Sequence, residues 1–472
     1  MKGLTRRQFL GMTAGATASF VISSRFSPVL GANDTIRVAV VGINGRGESH
    51  INSLLGLEGV EIAYLVDPDS RLFDRRSKKI TDAGKRAPTC VQDIRRALDD
   101  KDLDAVSIAS CNHQHCIQTI WACQAGKDVY VEKPLSQTVH EGRVAVEIAR
   151  KHDRVVQYGT DKGTKGDLIA ALARRGTYGK LLVSRGLCYK RRKSIEFRDV
   201  KQPPAELDFD LWCGPAAKKG YHENLVHYNW HWFWEYGCGD IGNQGAHEMH
   251  AALHAIPDAT LPRGVVSVGG RFGYVDQGQT ANTQVAVFDY GDTQLIFEVR
   301  GLETGGYYGQ GVGNTFHFEE GVVAGDKFYP NGGKEPEPVV KIEPDKTSRS
   351  ASFPEFISVM RSRDKALFDW NIETAHYSSA LCHLANISQR LGTRVTFAGI
   401  PDPFQANEFG NESFRRMGEH LKANGIEVER SSYRLGRELK FDPAAERFIG
   451  DDQANALLAR APRPPFVIPD KA

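Results

Sequence analysis

Hydrophobic and polar positions alternate between short apolar runs and amphipathic stretches over the first third of the chain. Residues 36–41 form an apolar, β-branched run, the pattern of a strand covered on both faces of a parallel sheet. Residues 48–55 read as a helix and residues 60–66 as a second strand. Residues 105–109 are the next strand, 116–125 a helix stopped by Gly126, and 128–131 another strand. This alternation predicts an α/β domain with a parallel sheet. Further on the pattern changes. A helix is predicted over 167–175, ended by Gly176, and strands over 181–190, 265–274, 283–290 and 293–300. Residues 353–392 predict one long helix with Ile357, Met360, Ala380, Leu384 and Ile387 on its apolar positions and Gly392 as its stop.

Between the first strand and helix stand Gly42, Asn44, Gly45, Arg46 and Gly47. A strand, a glycine turn and a helix start make an anion site, because free N–H groups and the positive helix end converge there. The order fits the dinucleotide pattern, with Asn44 in the middle glycine place, where a left-handed backbone is tolerable. Asp67 ends the second strand, 20 residues after Gly47. An acid there accepts ribose hydroxyls and opposes a 2′-phosphate, which favours NAD over NADP. Arg46 and Arg71 are the nearby cations that keep NADP as the second choice. The plainer reading is an ordinary glycine turn with Asp67 as a helix cap.

The strand at 105–109 delivers Ser110, Cys111, Asn112, His113, Gln114 and His115 to its carboxyl end, where ligands of open parallel sheets bind. The strand at 128–131 delivers Glu132, Lys133 and Pro134. A lysine beside a nicotinamide can donate to a substrate oxygen and take part in proton transfer.

With the glycine turn, Asn112-x-x-His115, Glu132-Lys133-Pro134 and Gln157-Tyr158-Gly159-Thr160 in place, the chain resembles the glucose–fructose oxidoreductase, inositol dehydrogenase and rhizopine-catabolism (Gfo/Idh/MocA) family. The resemblance implies a Rossmann domain followed by an α/β domain on a large, mostly antiparallel open sheet, whose face makes oligomer contacts. It implies cofactor contacts from Asn112, His115, Glu132 and Lys133. The expected division is a signal over 1–32, the nucleotide domain over 33–160, a substrate and oligomerisation domain over 161–392, and a C-terminal extension over 393–472 that wraps it.

The densest chemistry lies between His227 and His250. Trp230, Trp232 and Trp234 alternate, which on a strand puts all three on one face. Together with Tyr228, His231 and His250 they suit a sugar, whose C–H faces stack on indoles while its hydroxyls need polar partners. A core patch is the plainer reading. Aligned on the family's spacing, His247 takes the general acid/base place and Asn243 the place of an acid. An amide carries no proton there, so Asp240 is the candidate replacement, or a helix cap. His376, Tyr377 and His383 match family positions near the pocket and suit the core equally well.

Charge excludes some partners. The 472 residues carry a formal net charge of +2, which points to neither nucleic acid nor a membrane surface. Thr5-Arg6-Arg7-Gln8-Phe9-Leu10-Gly11 and the mildly apolar residues 12–22 resemble a twin-arginine signal, too weak to span a bilayer stably, and predict export of a folded protein to the periplasm. None of the eight cysteines forms C-x-x-C, so no metal site is expected, and a disulfide among Cys111, Cys116 and Cys123 stays open. Two functions remain. One is a nicotinamide oxidoreductase on a sugar, cyclitol or glycoside, with NAD(H) retained and recycled. That recycling includes a glycoside-cleaving cycle in which the hydride returns to its substrate. The other is a carbohydrate-binding or sensory protein that has lost turnover.

Overall fold

The computed structural model describes residues 35–160, 164–344, 348, 351–365 and 371–471, so the signal expected over 1–32 lies outside the described residues. The chain starts with β1 (Ile36–Val41), α1 (Arg46–Leu55), β2 (Val60–Val66), α2 (Phe73–Asp82), β3 (Thr89–Val91) and α3 (Ile94–Leu98). β4 (Ala105–Ile108), α4 (Asn112–Gln124), β5 (Asp128–Glu132), α5 (Val139–Lys151) and β6 (Val156–Gly159) follow. The strands form a six-stranded sheet in the order β3-β2-β1-β4-β5-β6, all parallel. β1 feeds two cores by simple alternation. Ile36, Val38 and Val40 pack towards Ile51 and Leu54, whereas Ala39 and Val41 join the core of Ile120 and Val144. The strand order reverses between β1 and β4, which opens a crevice at their carboxyl ends.

The second half opens with α6 (Thr164–Arg174), β7 (Leu181–Tyr189), α7 (Phe209–Cys213), α8 (Asp240–Asn243) and α9 (Gly245–His254). It continues with β8 (Gly264–Gly270), β9 (Thr283–Asp289), β10 (Gln294–Arg300), β11 (Val312–Phe318), β12 (Gly321–Ala324), β13 (Lys327–Pro330) and β14 (Glu337–Pro338). Then come α10 (Phe353–Ser362), α11 (Ile372–Arg390), β15 (Thr393–Thr396), α12 (Glu408–Ala423), β16 (Ser432–Leu435), β17 (Leu439–Asp442), β18 (Arg447–Phe448) and α13 (Asp452–Ala456). The described strands build a large sheet in the order β14-β13-β12-β11-β7-β10-β9-β8-β16-β15, with β17 also on β8. β7 and β10 run parallel and the other pairs antiparallel.

Four expectations need correction. The helix predicted from Cys116 starts at Asn112, so the Asn112-x-x-His115 motif forms its first turn instead of a loop. The single helix over 353–392 is two helices, because they serve different cores: α10 packs Phe356 and Met360 beside Ile36, and α11 packs Leu381 and Leu384 beside Phe297. Arg363, left-handed at φ 56°, ends α10. The tryptophan stretch is no strand. Asn229–Trp232 is a tight 3-10 turn, so alternation along the sequence gives the indoles no common strand face. Finally, the segment beyond 392 does more than wrap: β15, β16 and β17 extend the sheet, and α12 packs Phe414, Met417 and Leu421 against Val285, Val287 and Ile296. Those strand residues alternate with Ala286, Phe288 and Leu295 on the opposite core face, so over β9 and β10 the sheet is covered on both sides.

Candidate active site

The crevice at β1 and β4 is one end of a cavity of about 670 Å³ between the two halves. Its nucleotide end is made of backbone. Gly42 has φ +77°, and a Cβ on it would stand 2.5 Å from the Ser110 amide nitrogen. A Cβ on Gly47 would stand 1.8 Å from the Gly42 carbonyl oxygen. Gly45, at φ +43°, faces open space and precedes α1, whose N-terminus has no side-chain cap. A helix start without a side-chain cap, behind a cradle that any side chain would fill, fits a pyrophosphate, with the Gly47 and Glu48 N–H groups closing the turn on the Asn44 and Gly45 carbonyls at 2.9 and 3.1 Å. The left-handed places belong to Gly42 and Gly45; Asn44 lines the cavity without needing one.

Asp67 also lines the cavity and is 7% exposed. Its carboxylate accepts from the Ile43 N–H at 2.9 Å and the Asp69 N–H at 3.0 Å. Burial outweighs these bonds and pushes its pKa up to about 6. Glu132, buried, also lines the cavity. It accepts from Arg46 Nε at 2.7 Å and meets His50 Nε2 at 3.1 Å, while His50 Nδ1 lies 2.7 Å from Ser107 Oγ. Burial opposes the charge on Glu132, but the bond and charge of His50, with Arg46 and Lys133, hold its carboxyl well below the usual range.

The opposite end of the cavity draws on both halves. Lys133 Nζ donates to the Asn243 carbonyl at 2.6 Å, and burial lowers its pKa despite the charge of Glu132. His247 Nδ1 lies 3.0 Å from Thr160 Oγ1. Lys133, Asn243, His247 and Thr160 all line the cavity. Asn243 therefore meets Lys133 through its main-chain carbonyl, a contact its side-chain chemistry did not announce. His115 is fixed by the Pro134 and Ser110 carbonyls at 2.6 and 3.0 Å, and Asn112 Nδ2 reaches Cys238 Sγ at 3.7 Å.

The structure sets Asp240 off the cavity wall. It is 1% exposed and is gripped by Arg192 at 2.9 Å (Nε) and 2.6 Å (Nη2). Of the expected sugar contacts, Tyr228, Trp230 and His231 line the cavity. Tyr228 is 53% exposed at the cavity wall, and the Trp230 and His231 rings stack at 3.6 Å. Trp232 and Trp234 turn away, each beneath an arginine (Arg192 and Arg390, both 5.2 Å). His250 is buried against Tyr158 and His254, and burial pushes its pKa down to about 3. His376 and His383 pair with Glu446 and Ser136 away from the wall.

Sequence reasoning missed several wall residues. His227, paired with the buried Asp69 at 2.9 Å, sat inside the polar stretch but carried no distinguishing spacing. Trp121, the adjacent pair Leu211 and Trp212, and Phe466 come from three places that no pattern connects. All eight cysteines are free, so no disulfide links Cys111, Cys116 and Cys123; Cys116 Sγ donates to the Leu135 carbonyl at 3.3 Å. Among the described residues no cluster of three or more metal-ligating side chains occurs, and no helix is long and apolar enough to cross a membrane.

With this geometry established, comparison with known proteins gives consistent matches. A model of an oxidoreductase family with an NAD-binding Rossmann fold matches residues 36–160, and that family's C-terminal alpha/beta domain matches residues 187–298. A glycosyl hydrolase family 109 protein of Shewanella pealeana is 28% identical over 208 residues, covering 38% of this chain and 44% of that protein. One from Shewanella baltica (strain OS185) is 27% identical over 207 residues, covering 39% and 45%. The chain thus spans less than half the length of the curated relatives it matches. The WlbA dehydrogenase of Bordetella pertussis, solved with NADH and UDP-GlcNAcA, shares the fold with a TM-score of 0.53 at 16% identity, covering 75% of this chain and 97% of that one. An oxidoreductase of Thermotoga maritima gives 0.53 at 15% identity, covering 75% and 95%.

Proposed function

The chain belongs to the Gfo/Idh/MocA oxidoreductase family, and from that premise we propose that it oxidises a ring hydroxyl of a sugar, cyclitol or glycoside with NAD held in the cavity. One observation carries this reading: Lys133 and His247, one from each half, share a cavity with the anion turn and Asp67. Gly42, Gly45 and Gly47 would hold the pyrophosphate and Asp67 the adenosine ribose, and Glu132 would line the nicotinamide half. NAD supplies hydride acceptance and return when bound. Burial lowers the proton affinity of Lys133, and the Asn243 carbonyl aims its ammonium, so Lys133 can orient the reacting hydroxyl. Thr160 orients His247, the second group able to exchange a proton. Tyr228, Trp230, His227 and His231 offer the ring faces and polar contacts that a sugar needs.

The glycosyl hydrolase names of the relatives favour a redox-neutral variant. Oxidation of a ring hydroxyl acidifies the adjacent C–H; a base removes that proton, the aglycone leaves with a proton, water adds, and the ring is reduced again. The competing reading, a carbohydrate-binding protein without turnover, rests on Asn243 in the acid place, with the nearby Asp240 tied to Arg192.

We also propose export to the periplasm, supported by Thr5 to Gly11, where retained NAD(H) recycled on the enzyme would replace an external pool. Homo-oligomers through the sheet are part of the same reading, and they must use strands outside the part of β9 and β10 that α12 covers. The test is protein purified with its own nucleotide. Repeated turnover of sugars or aryl glycosides without added cofactor supports the recycled cycle. A requirement for stoichiometric added NAD sinks recycling, and tight sugar binding without any turnover favours the binding protein.

A further inference from the structure

We propose that the C-terminal segment forms the outer wall of the adenosine end of the cavity and controls how fast nucleotide leaves; this rests on the reading of the cavity as an NAD site. Asp67, Gln92 and Asp93, at the carboxyl ends of β2 and β3, mark that end, remote from Lys133 and His247 in the fold. After α13 the chain abandons the large sheet and returns to the nucleotide domain. The Leu458 carbonyl accepts from the His140 N–H at 2.9 Å, and Arg460 pairs with Glu141 at 3.0 Å. Arg463 then bolts the segment to α7 and to Gly214, which ends it. Its guanidinium donates to the Gly214 carbonyl at 2.5 Å, to Asp210 Oδ1 at 3.0 Å and to the Asp210 carbonyl at 2.9 Å.

The next turn, closed by the Phe466 N–H on the Arg463 carbonyl at 2.7 Å, folds Phe466 into the cavity wall. Phe466 is 4% exposed, although Pro464, Pro465 and Val467 beside it all face solvent. Arg463 lies 4.6 Å and Arg95 5.5 Å from its ring, and Arg95 also lies 5.4 Å from the Trp121 ring. The two aromatic rings are 6.2 Å apart. An aromatic wall backed by two cations suits a planar, electron-rich purine. Leu211 and Trp212, on the same bolted helix α7, line the cavity too, so release of the adenosine half requires the bolt to yield.

The experiment compares full-length wild type, Phe466→Ala, Phe466→Leu and Arg463→Ala, each loaded with NADH and chased with excess NAD. Phe466→Ala and Arg463→Ala should release NADH about tenfold faster or more. Phe466→Leu, which keeps the packing but not the ring, should fall between. AMP affinity should drop in Phe466→Ala while nicotinamide mononucleotide affinity holds. Release and AMP affinity equal to wild type in folded Phe466→Ala overturn the proposal while leaving the NAD site intact. A wild type that binds neither NADH nor AMP overturns the proposal and the NAD reading together.

Discussion

The two ends of the cavity are built from different materials. At the nucleotide end the ligand groups are main-chain N–H groups, and the essential residues are those without side chains, Gly42 and Gly47. At the opposite end the groups are side chains from separate halves, Lys133 against the Asn243 carbonyl and His247 against the Thr160 hydroxyl. A main-chain site is broken by adding atoms, whereas a side-chain site is broken by removing them. The first is set by strand order and turn geometry; the second depends on how two domains dock.

The largest expected effect comes from adding atoms at the first end. The Cβ of Gly47→Val would stand 1.8 Å from the Gly42 carbonyl oxygen, so α1 must shift away from β1. Nucleotide binding should fall below detection by calorimetry, with circular dichroism confirming a folded chain. Unchanged affinity would mean that the dinucleotide lies elsewhere.

Removing atoms at the second end should cost less and act on a different quantity. Lys133→Met and His247→Ala should each lower turnover by about 10²-fold or more. Nucleotide retention after gel filtration should stay near wild type in both. A Lys133→Met protein with normal turnover would move the proton chemistry off this wall.

Asp240 sharpens the contrast, because it lies in sequence beside the second end but takes no part in its wall. Asp240→Asn keeps the shape and removes the charge facing Arg192. The cost should be about 1.5–3 kcal/mol of stability, read as a lower Tm. Turnover at a temperature where the variant is folded should change less than in Lys133→Met. A loss as large as that of Lys133→Met, with Tm unchanged, would return Asp240 to the proton path.

The same division explains what the sequence disclosed. Glycines, an acid at the end of β2 and Lys133 before a proline occupy places dictated by local geometry, so their roles could be read from spacing. The tryptophan stretch could not, because alternation implies one face only on a strand, and Asn229–Trp232 is a 3-10 turn. Asn243 misled for a related reason: its amide suggested lost function, while its carbonyl holds Lys133. Phe466 was illegible altogether, since nothing local ties it to Trp121, 345 residues earlier. Only the path of the folded chain brings them together.

The smallest effect concerns Asp67, where the nucleotide end does rely on a side chain. Burial raises its pKa to about 6, above the ordinary aspartate value of about 3.9. An acid whose folded-state pKa is raised favours folding in its protonated form. Its contribution is full below the unfolded value and is lost as pH rises through about 6, on the order of 1–3 kcal/mol. Nucleotide-free wild type should therefore lose more stability between pH 4 and pH 7 than Asp67→Asn, an excess read in paired denaturant titrations. Binding runs the other way. Above about pH 6 the carboxylate opposes a 2′-phosphate, and below it the neutral acid does not. Asp69 cannot substitute, because Arg71 pairs with it at 2.5 Å. The preference for NAD over NADP should shrink roughly tenfold from pH 7.5 to pH 5 in wild type and stay flat in Asp67→Asn. An equal pH dependence in both proteins would assign the preference to the shape of the turn, leaving the nucleotide end governed by backbone alone.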